Sequence, residues 1–297
     1  MQLAVSRPRL PTVDALLVIA YGFALLWGSL WGSFLNVVIY RVPAGLSVVH
    51  PRSRCPSCLQ PITWWQNVPI VSYALLGGRC ARCKTSISIR YPAVEATAAA
   101  LSLAVAAPWL PAVLDGSVLP WQALAAVLAE QAFVFALQAI ALIDADTFLV
   151  PDPLSLPLPL LGLGVALLVG PERGVTWTQS AAGALVAGGG LLALQWGYGA
   201  LTGREGLGTG DVKLLAGIGA FVGLSAVPVV LLAAALQGLA FAAGYALLSR
   251  GSATAERGLT SIRHLALPFG PFLALAGVQW LLLHRLVEPV LRTWWRL

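Results

Sequence analysis

The chain has 297 residues, of which 58% are hydrophobic and only 10% charged, with a formal net charge of +6 and a mean hydropathy of +0.82. A soluble domain carries roughly a quarter charged residues, so the composition excludes a soluble globular enzyme and describes a polytopic membrane protein. The positive balance suits anionic lipid headgroups, and nothing in it points to nucleic acid.

A helix needs about 20 apolar residues to cross a bilayer. Uncharged runs predict spans over residues 15–40, 96–114, 116–143 (interrupted by Glu130), 153–171 and 174–203. Residues 214–249 are too long for one span. Gly and Pro punctuate helices, so a break at Gly223-Leu224-Ser225-Ala226-Val227-Pro228 is expected to split them. The upstream half is short unless it starts near Gly208. Residues 265–284 make the last span. The expected fold is an all-α polytopic membrane protein of about eight transmembrane helices, with seven also compatible. The first apolar run is longer than the 7–15 residues of a signal-peptide core, so it is expected to remain as a helix. The expected organisation is a first transmembrane helix over 1–41, a cysteine-bearing loop over 42–93 and a helical membrane core over 94–297.

Orientation follows from Lys and Arg. The loop after the first span holds Arg41, Arg52, Arg54, Arg79, Arg82, Lys84 and Arg90; Arg204, Lys213, Arg250, Arg257 and Arg263 fall on the same side. The opposite side has Arg7, Arg9, Arg173, Arg285, Arg292 and Arg296. The large loop is therefore expected in the cytoplasm and the N-terminus outside.

All four cysteines lie in that loop, as Cys55-Pro56-Ser57-Cys58 and Cys80-Ala81-Arg82-Cys83. Two CxxC pairs at this spacing match a Cys₄ zinc site, and a reducing cytosol argues against disulfides. Four thiolates leave no open position, so the expected zinc is structural, holding together a zinc-ribbon-like segment too small to build its own core. No HExxH helix marks a zinc protease. Trp64, Trp65 and Tyr73 are expected to pack on the metal core rather than lie at the membrane interface.

Two stretches put carboxylates at span boundaries: Ile143-Asp144-Ala145-Asp146-Thr147-Phe148-Leu149-Val150-Pro151-Asp152 and Gly208-Thr209-Gly210-Asp211-Val212-Lys213. An ionisable group there is costly and marks function by default. Two such acids suit chemistry in which one is protonated and the other ionised. Asp144 and Asp146 differ by about 200° on a helix, so only one of them can face a bundle interior. Asp152 precedes Pro153 and reads as a helix N-cap. Asp211 follows Gly206, Gly208 and Gly210, which permit close backbone approach. Ala216, Gly217, Gly219 and Ala220 continue a small-residue surface suited to tight packing in lipid. Lys213 either pairs with a carboxylate or snorkels to headgroups. Glu130 lies about 21 Å along the helix from Asp144 and is expected to hydrogen-bond between helices. His50, His264 and His284 have no visible metal or nucleophile partner, and no GxSxG elbow is present.

The chain resembles the bacterial type IV prepilin leader peptidases, which also serve type II secretion pseudopilins. The resemblance is carried by GSFLNVVIYRVP at 32–43, SRCPSC at 53–58, WQNVPIVSY at 65–73, SIRYPAVE at 88–95, the IDADTFLVPD and GTGDVKLLAGIGA segments, and LPFGPF at 267–272. It implies that Asp144 and Asp211 are the catalytic pair. It also implies location in the inner membrane with the active site near the cytoplasmic face. The implied substrate is a prepilin with a short basic leader, cut after glycine before a hydrophobic helix lying in lipid. It further implies methylation of the new N-terminus from S-adenosylmethionine, an activity no residue pattern here shows by itself. Alternatives are a proton- or ion-coupled transporter using Glu130, Asp144 and Asp211, or a methyltransferase without peptidase activity.

Overall fold

A computed structural model describes residues 11–203, 208–249 and 267–294. Arg7, Arg9, Arg204, Gly206, Arg250, Arg257, Arg263, His264 and Arg296 lie outside them, as do the side chains of Arg285 and Arg292. Among the described residues the secondary structure is helical apart from two isolated bridges. The helices are α1 (Pro11–Arg41), α2 (Val71–Leu75), α3 (Arg90–Ala106), α4 (Trp109–Leu114), α5 (Pro120–Thr147) and α6 (Asp152–Ser155). They continue with α7 (Pro157–Arg173), α8 (Trp177–Thr202), α9 (Thr209–Val222), α10 (Val227–Ser249) and α11 (Gly270–Trp294).

Each of the eight predicted spans holds helix among the described residues, the last of them, expected over 265–284, from Gly270 onward. Among the described residues six stretches are long and apolar enough to cross a membrane: Asp14–Arg41, Arg90–Leu114, Pro120–Thr147, Asp152–Arg173, Trp177–Thr202 and Leu224–Leu248. The other two segments are α9, with 14 residues, and the apolar stretch Gly270–His284 that opens α11. The expected break lies between α9 and α10, at Gly223 and the turn Leu224–Ala226. Gly223 has φ +82°, a conformation that favours glycine.

The chain divides into two compact units: Met1–Val38 with Ser47–Gln131, and Ile39–Leu46 with Ala132–Leu297. In the first, α1 meets α3 through glycine. A Cβ at Gly28 would stand 2.5 Å from the Ser102 side chain, and one at Gly32 would stand 2.6 Å from Glu95 Cα. Polar side chains join the helices where lipid offers no partner. Trp27 Nε1 donates to Gln131 Oε1 at 3.0 Å, Gln131 Nε2 donates to Ser102 Oγ at 2.8 Å, and Trp109 Nε1 donates to Glu130 Oε2 at 3.1 Å. Glu130 therefore makes the expected interhelical bond.

In the second unit α9 is the central helix, packed by α7, α8, α10 and α11. Its small residues meet small residues: Ala216 faces Gly188, Gly219 faces Gly183 and Ala220 faces Gly162, while the larger Ile218 lies over Gly277. Phe221 stacks on Phe133 with centroids 4.1 Å apart. Arg173, expected as a loop cation, is buried. Its Nη2 donates to the Phe221 carbonyl at 3.2 Å and its guanidinium lies 5.0 Å over the Phe221 ring, closing the C-terminal end of α9. Large apolar side chains on α1, α7, α8 and α10 point outward, as lipid-facing helices require.

Candidate active site and metal centre

Asp144 lies one turn before the C-terminal end of α5, with 5% of its surface exposed, while Asp146 is exposed. The 200° separation therefore resolves as expected, with Asp144 inward. After α5 the chain turns through Phe148, at φ +57°, and Val150 comes against the first turn of α9. A Cβ at Gly210 would stand 2.8 Å from Val150 Cβ. The glycine before Asp211 is thus what lets the two aspartate-bearing segments touch. Asp211 is half-buried in the first turn of α9, close enough for its carboxylate to feel the charge of Asp144. A third segment reaches the same place: the Gly270 N–H, at the start of α11, donates to Asp144 Oδ2 at 3.0 Å. A buried acid, a half-buried acid within electrostatic reach of it and a fixed donor are the equipment of coupled acid–base chemistry.

Asp152 is not the N-cap that its Asp-Pro pattern suggests. Pro151 holds that position, α6 starts at Asp152 and no side-chain cap bond forms. Instead Asp152 Oδ1 accepts from Lys213 Nζ at 2.6 Å, an ion pair between α6 and α9. Of the two readings of Lys213, the structure therefore takes the carboxylate partner. Glu95 was missed except as part of a motif. It is buried, and its Oε2 accepts the Ile70 N–H at 2.7 Å. Ile70 has φ +61°, strained for a β-branched residue, so a buried carboxylate pins a strained turn of the cysteine loop to α3. The signal in sequence was a carboxylate at the sixth residue of α3, at the edge of an apolar run.

The four cysteine sulfurs lie within 4.8 Å of one another, none in a disulfide. Cys55 and Cys83 Sγ are 3.7 Å apart; zinc–sulfur bonds of about 2.3 Å in a tetrahedron put sulfurs about 3.8 Å apart. The residues fit a tetrahedral metal ion. The loop builds this with two knuckles of one design. Cys55 N–H donates to the Gln60 carbonyl and Leu59 N–H to the Cys55 carbonyl; Cys80 N–H donates to the Thr85 carbonyl and Lys84 N–H to the Cys80 carbonyl. Leu59 (φ +58°) and Lys84 (φ +61°) turn the chain at matching places. Backbone N–H groups then aim at sulfur. Those of Cys58 and Ser57 hold the Cys55 thiol below its usual range. The hydroxyl and N–H of Thr85 bring Cys83 to about 6. At Cys58 the Gln60 N–H is outweighed by desolvation and the neighbouring sulfurs, which push it up to about 11. Trp64 and Trp65 do not pack on the metal core: Trp64 is 83% exposed and Trp65 is also on the surface. Tyr73 is half-buried beside Gly78, its hydroxyl donating to the Ile87 carbonyl at 3.3 Å.

The family model of the bacterial peptidase A24 N-terminal domain matches residues 26–109, and that of the type IV leader peptidase family matches 131–243. A prepilin leader peptidase/N-methyltransferase of Aeromonas salmonicida is 38% identical over 283 residues, covering 86% of this chain and 88% of the relative. One of Neisseria gonorrhoeae is 39% identical, covering 87% and 88%, and one of Pseudomonas putida is 36% identical, covering 86% and 87%. No solved structure matches the chain. The extent of these matches, which take in both the cysteine knuckles and the two aspartates, shows that the chain belongs to the type IV leader peptidase family.

Proposed function

We propose that this protein is a membrane aspartic endopeptidase that removes the leader from prepilins and pseudopilins and then methylates the exposed N-terminus. Asp144 and Asp211 are its catalytic pair. The observation that carries this reading is the meeting of two motif aspartates beside the Gly270 N–H, in a chain whose relatives bear that double name. One carboxylate takes a proton from water as the water oxygen attacks the scissile carbonyl. The other, protonated, donates to the developing oxyanion, and a proton then passes to the leaving amine. Positioned acid–base catalysis of this kind contributes roughly 10²–10⁴-fold. The substrate leader is basic and short, cut after glycine, and the hydrophobic helix behind it lies in lipid beside the enzyme. S-adenosylmethionine supplies the methyl group for the second activity when bound; no residue of this chain is assigned to it.

Residues 42–93 form a cytoplasmic loop in which Cys55, Cys58, Cys80 and Cys83 hold a structural zinc ion, and 94–297 carry the peptidase core in the inner membrane. The positive-inside distribution of Lys and Arg supports that orientation. Cleavage of a prepilin distinguishes this function from ion transport. Purified protein incubated with a prepilin, with and without S-adenosylmethionine, should give by mass spectrometry the loss of the leader in both cases and one added methyl group only with the donor. Asp144→Asn and Asp211→Asn should each lower cleavage at least about 100-fold; substantial cleavage by either variant removes that residue from the pair.

A further inference from the structure

Two aspartates that share one site need a feature that tells them apart. Each stands at a helix N-terminus, Asp211 within the first turn of α9 and Asp144 against the first residue of α11. Helix dipoles thus act on both and distinguish neither. What differs is a direct donor. Gly270 N–H is one of the unpaired amides that every helix start presents, and it is spent on Asp144 Oδ2 at 3.0 Å. Among the described residues no donor reaches the Asp211 carboxylate. Glycine is required at 270 for steric reasons as well. A Cβ there would stand 2.5 Å from Asp144 Oδ2 and 3.1 Å from its Cγ, so any other residue displaces the carboxylate.

We infer that Gly270 is a positioning residue whose backbone N–H makes Asp144 the ionised, water-activating member of the pair and leaves the shared proton on Asp211. This rests on the reading of Asp144 and Asp211 as the catalytic pair. An amide N–H stabilises a carboxylate that accepts it. The ionised Asp144 takes a proton from water as its oxygen bonds to the scissile carbon, and the Asp211 proton goes to the carbonyl oxygen. When the carbon–nitrogen bond breaks, the amine leaves with the proton held by Asp144 and the re-forming acid returns one to Asp211. Both carboxyls end as they began.

The test uses full-length protein in detergent with a prepilin substrate, comparing Gly270→Ala, Asp144→Asn, Asp211→Asn and Asp146→Asn. Gly270→Ala should lower kcat at least about 100-fold with KM within about twofold, while methyl transfer to an already cleaved pilin persists. Wild-type cleavage by Gly270→Ala, with both Asn variants of the pair inactive, overturns this inference and spares the pair. Cleavage by Asp144→Asn or Asp211→Asn instead sinks the pair itself. Should Gly270→Ala lose both activities, the decision passes to the Gly270 amide resonance in ¹⁵N-glycine-labelled protein. It should move in Asp144→Asn and stay in Asp146→Asn. On titration it should follow the acid limb of the cleavage profile. No shift in Asp144→Asn, or a shift that follows the alkaline limb, makes Asp211 the base and overturns the assignment.

Discussion

At the scale of single residues, the cysteine knuckles set Cys55, Cys58 and Cys83 apart through the donors and neighbours that the fold gives each sulfur. Before a metal binds, Cys83 is held to about 6 by Thr85 and is a thiolate at neutral pH, whereas Cys58, pushed up to about 11, keeps its proton. A metal ion takes all four as thiolates. Loading zinc into chelator-stripped protein at pH 7 should therefore release protons, and Cys58 contributes one of them. The sign follows from the raised value: the proton is bound below it and must leave for the sulfur to ligate, so zinc affinity falls as pH falls. Measured with an indicator dye in weak buffer, proton release should be smaller for Cys58→Ser than for wild type. Equal release from both would contradict the assignment. The cysteine spacing made the cluster legible from sequence; the difference between Cys58 and Cys83 was not, because it depends on which donors and sulfurs the folded turns bring to each one.

At the scale of elements, α9 is held by surfaces that sequence displays and by one clasp that it hides. The small residues Ala216, Gly217, Gly219 and Ala220 announce close packing, and the partners at Gly183, Gly188 and Gly162 meet them. The clasp is Arg173, which reads in sequence as a loop cation yet reaches across to the Phe221 carbonyl and ring. Its partner is 48 residues away, and no local pattern signals it. Asp152 failed for the same reason: Asp-Pro is a capping pattern, but the residue that engages it, Lys213, is 61 positions on. Arg173→Met keeps the length of the side chain while removing the donor and the cation. It should cost about 2–4 kcal/mol by the sum of a charged hydrogen bond and a cation–π contact, read as a lower SDS-denaturation midpoint. An unchanged midpoint would mean that the packing around α9 carries the element without the clasp.

At the scale of the whole molecule, the helical fold, its apolar segments and the facing of only one of Asp144 and Asp146 toward the interior were legible, because hydropathy and the 3.6-residue period are local properties; that the inward one is Asp144 came from the family resemblance. What joined the segments was not: Gly270 against Asp144, Val150 against Gly210 and Glu95 beneath Ile70 are contacts between distant stretches. Trp64 and Trp65 misled because aromatic residues between metal-binding pairs suggest packing, whereas here they are on the surface. One further property follows from the brevity of α9. Fourteen residues rise about 21 Å, against a hydrocarbon layer of about 30 Å. A helix that short, packed by α7, α8, α10 and α11, cannot cross that layer alone, and such a shortfall is met by local thinning of the bilayer or by water at the helix end. Hydrolysis can then draw on solvent without breaching the bilayer, and acyl-chain length becomes a control on turnover. In vesicles of graded thickness, cleavage should peak in shorter-chain lipids and decline as the chains lengthen; a flat response would mean that the length of α9 sets no limit on the reaction.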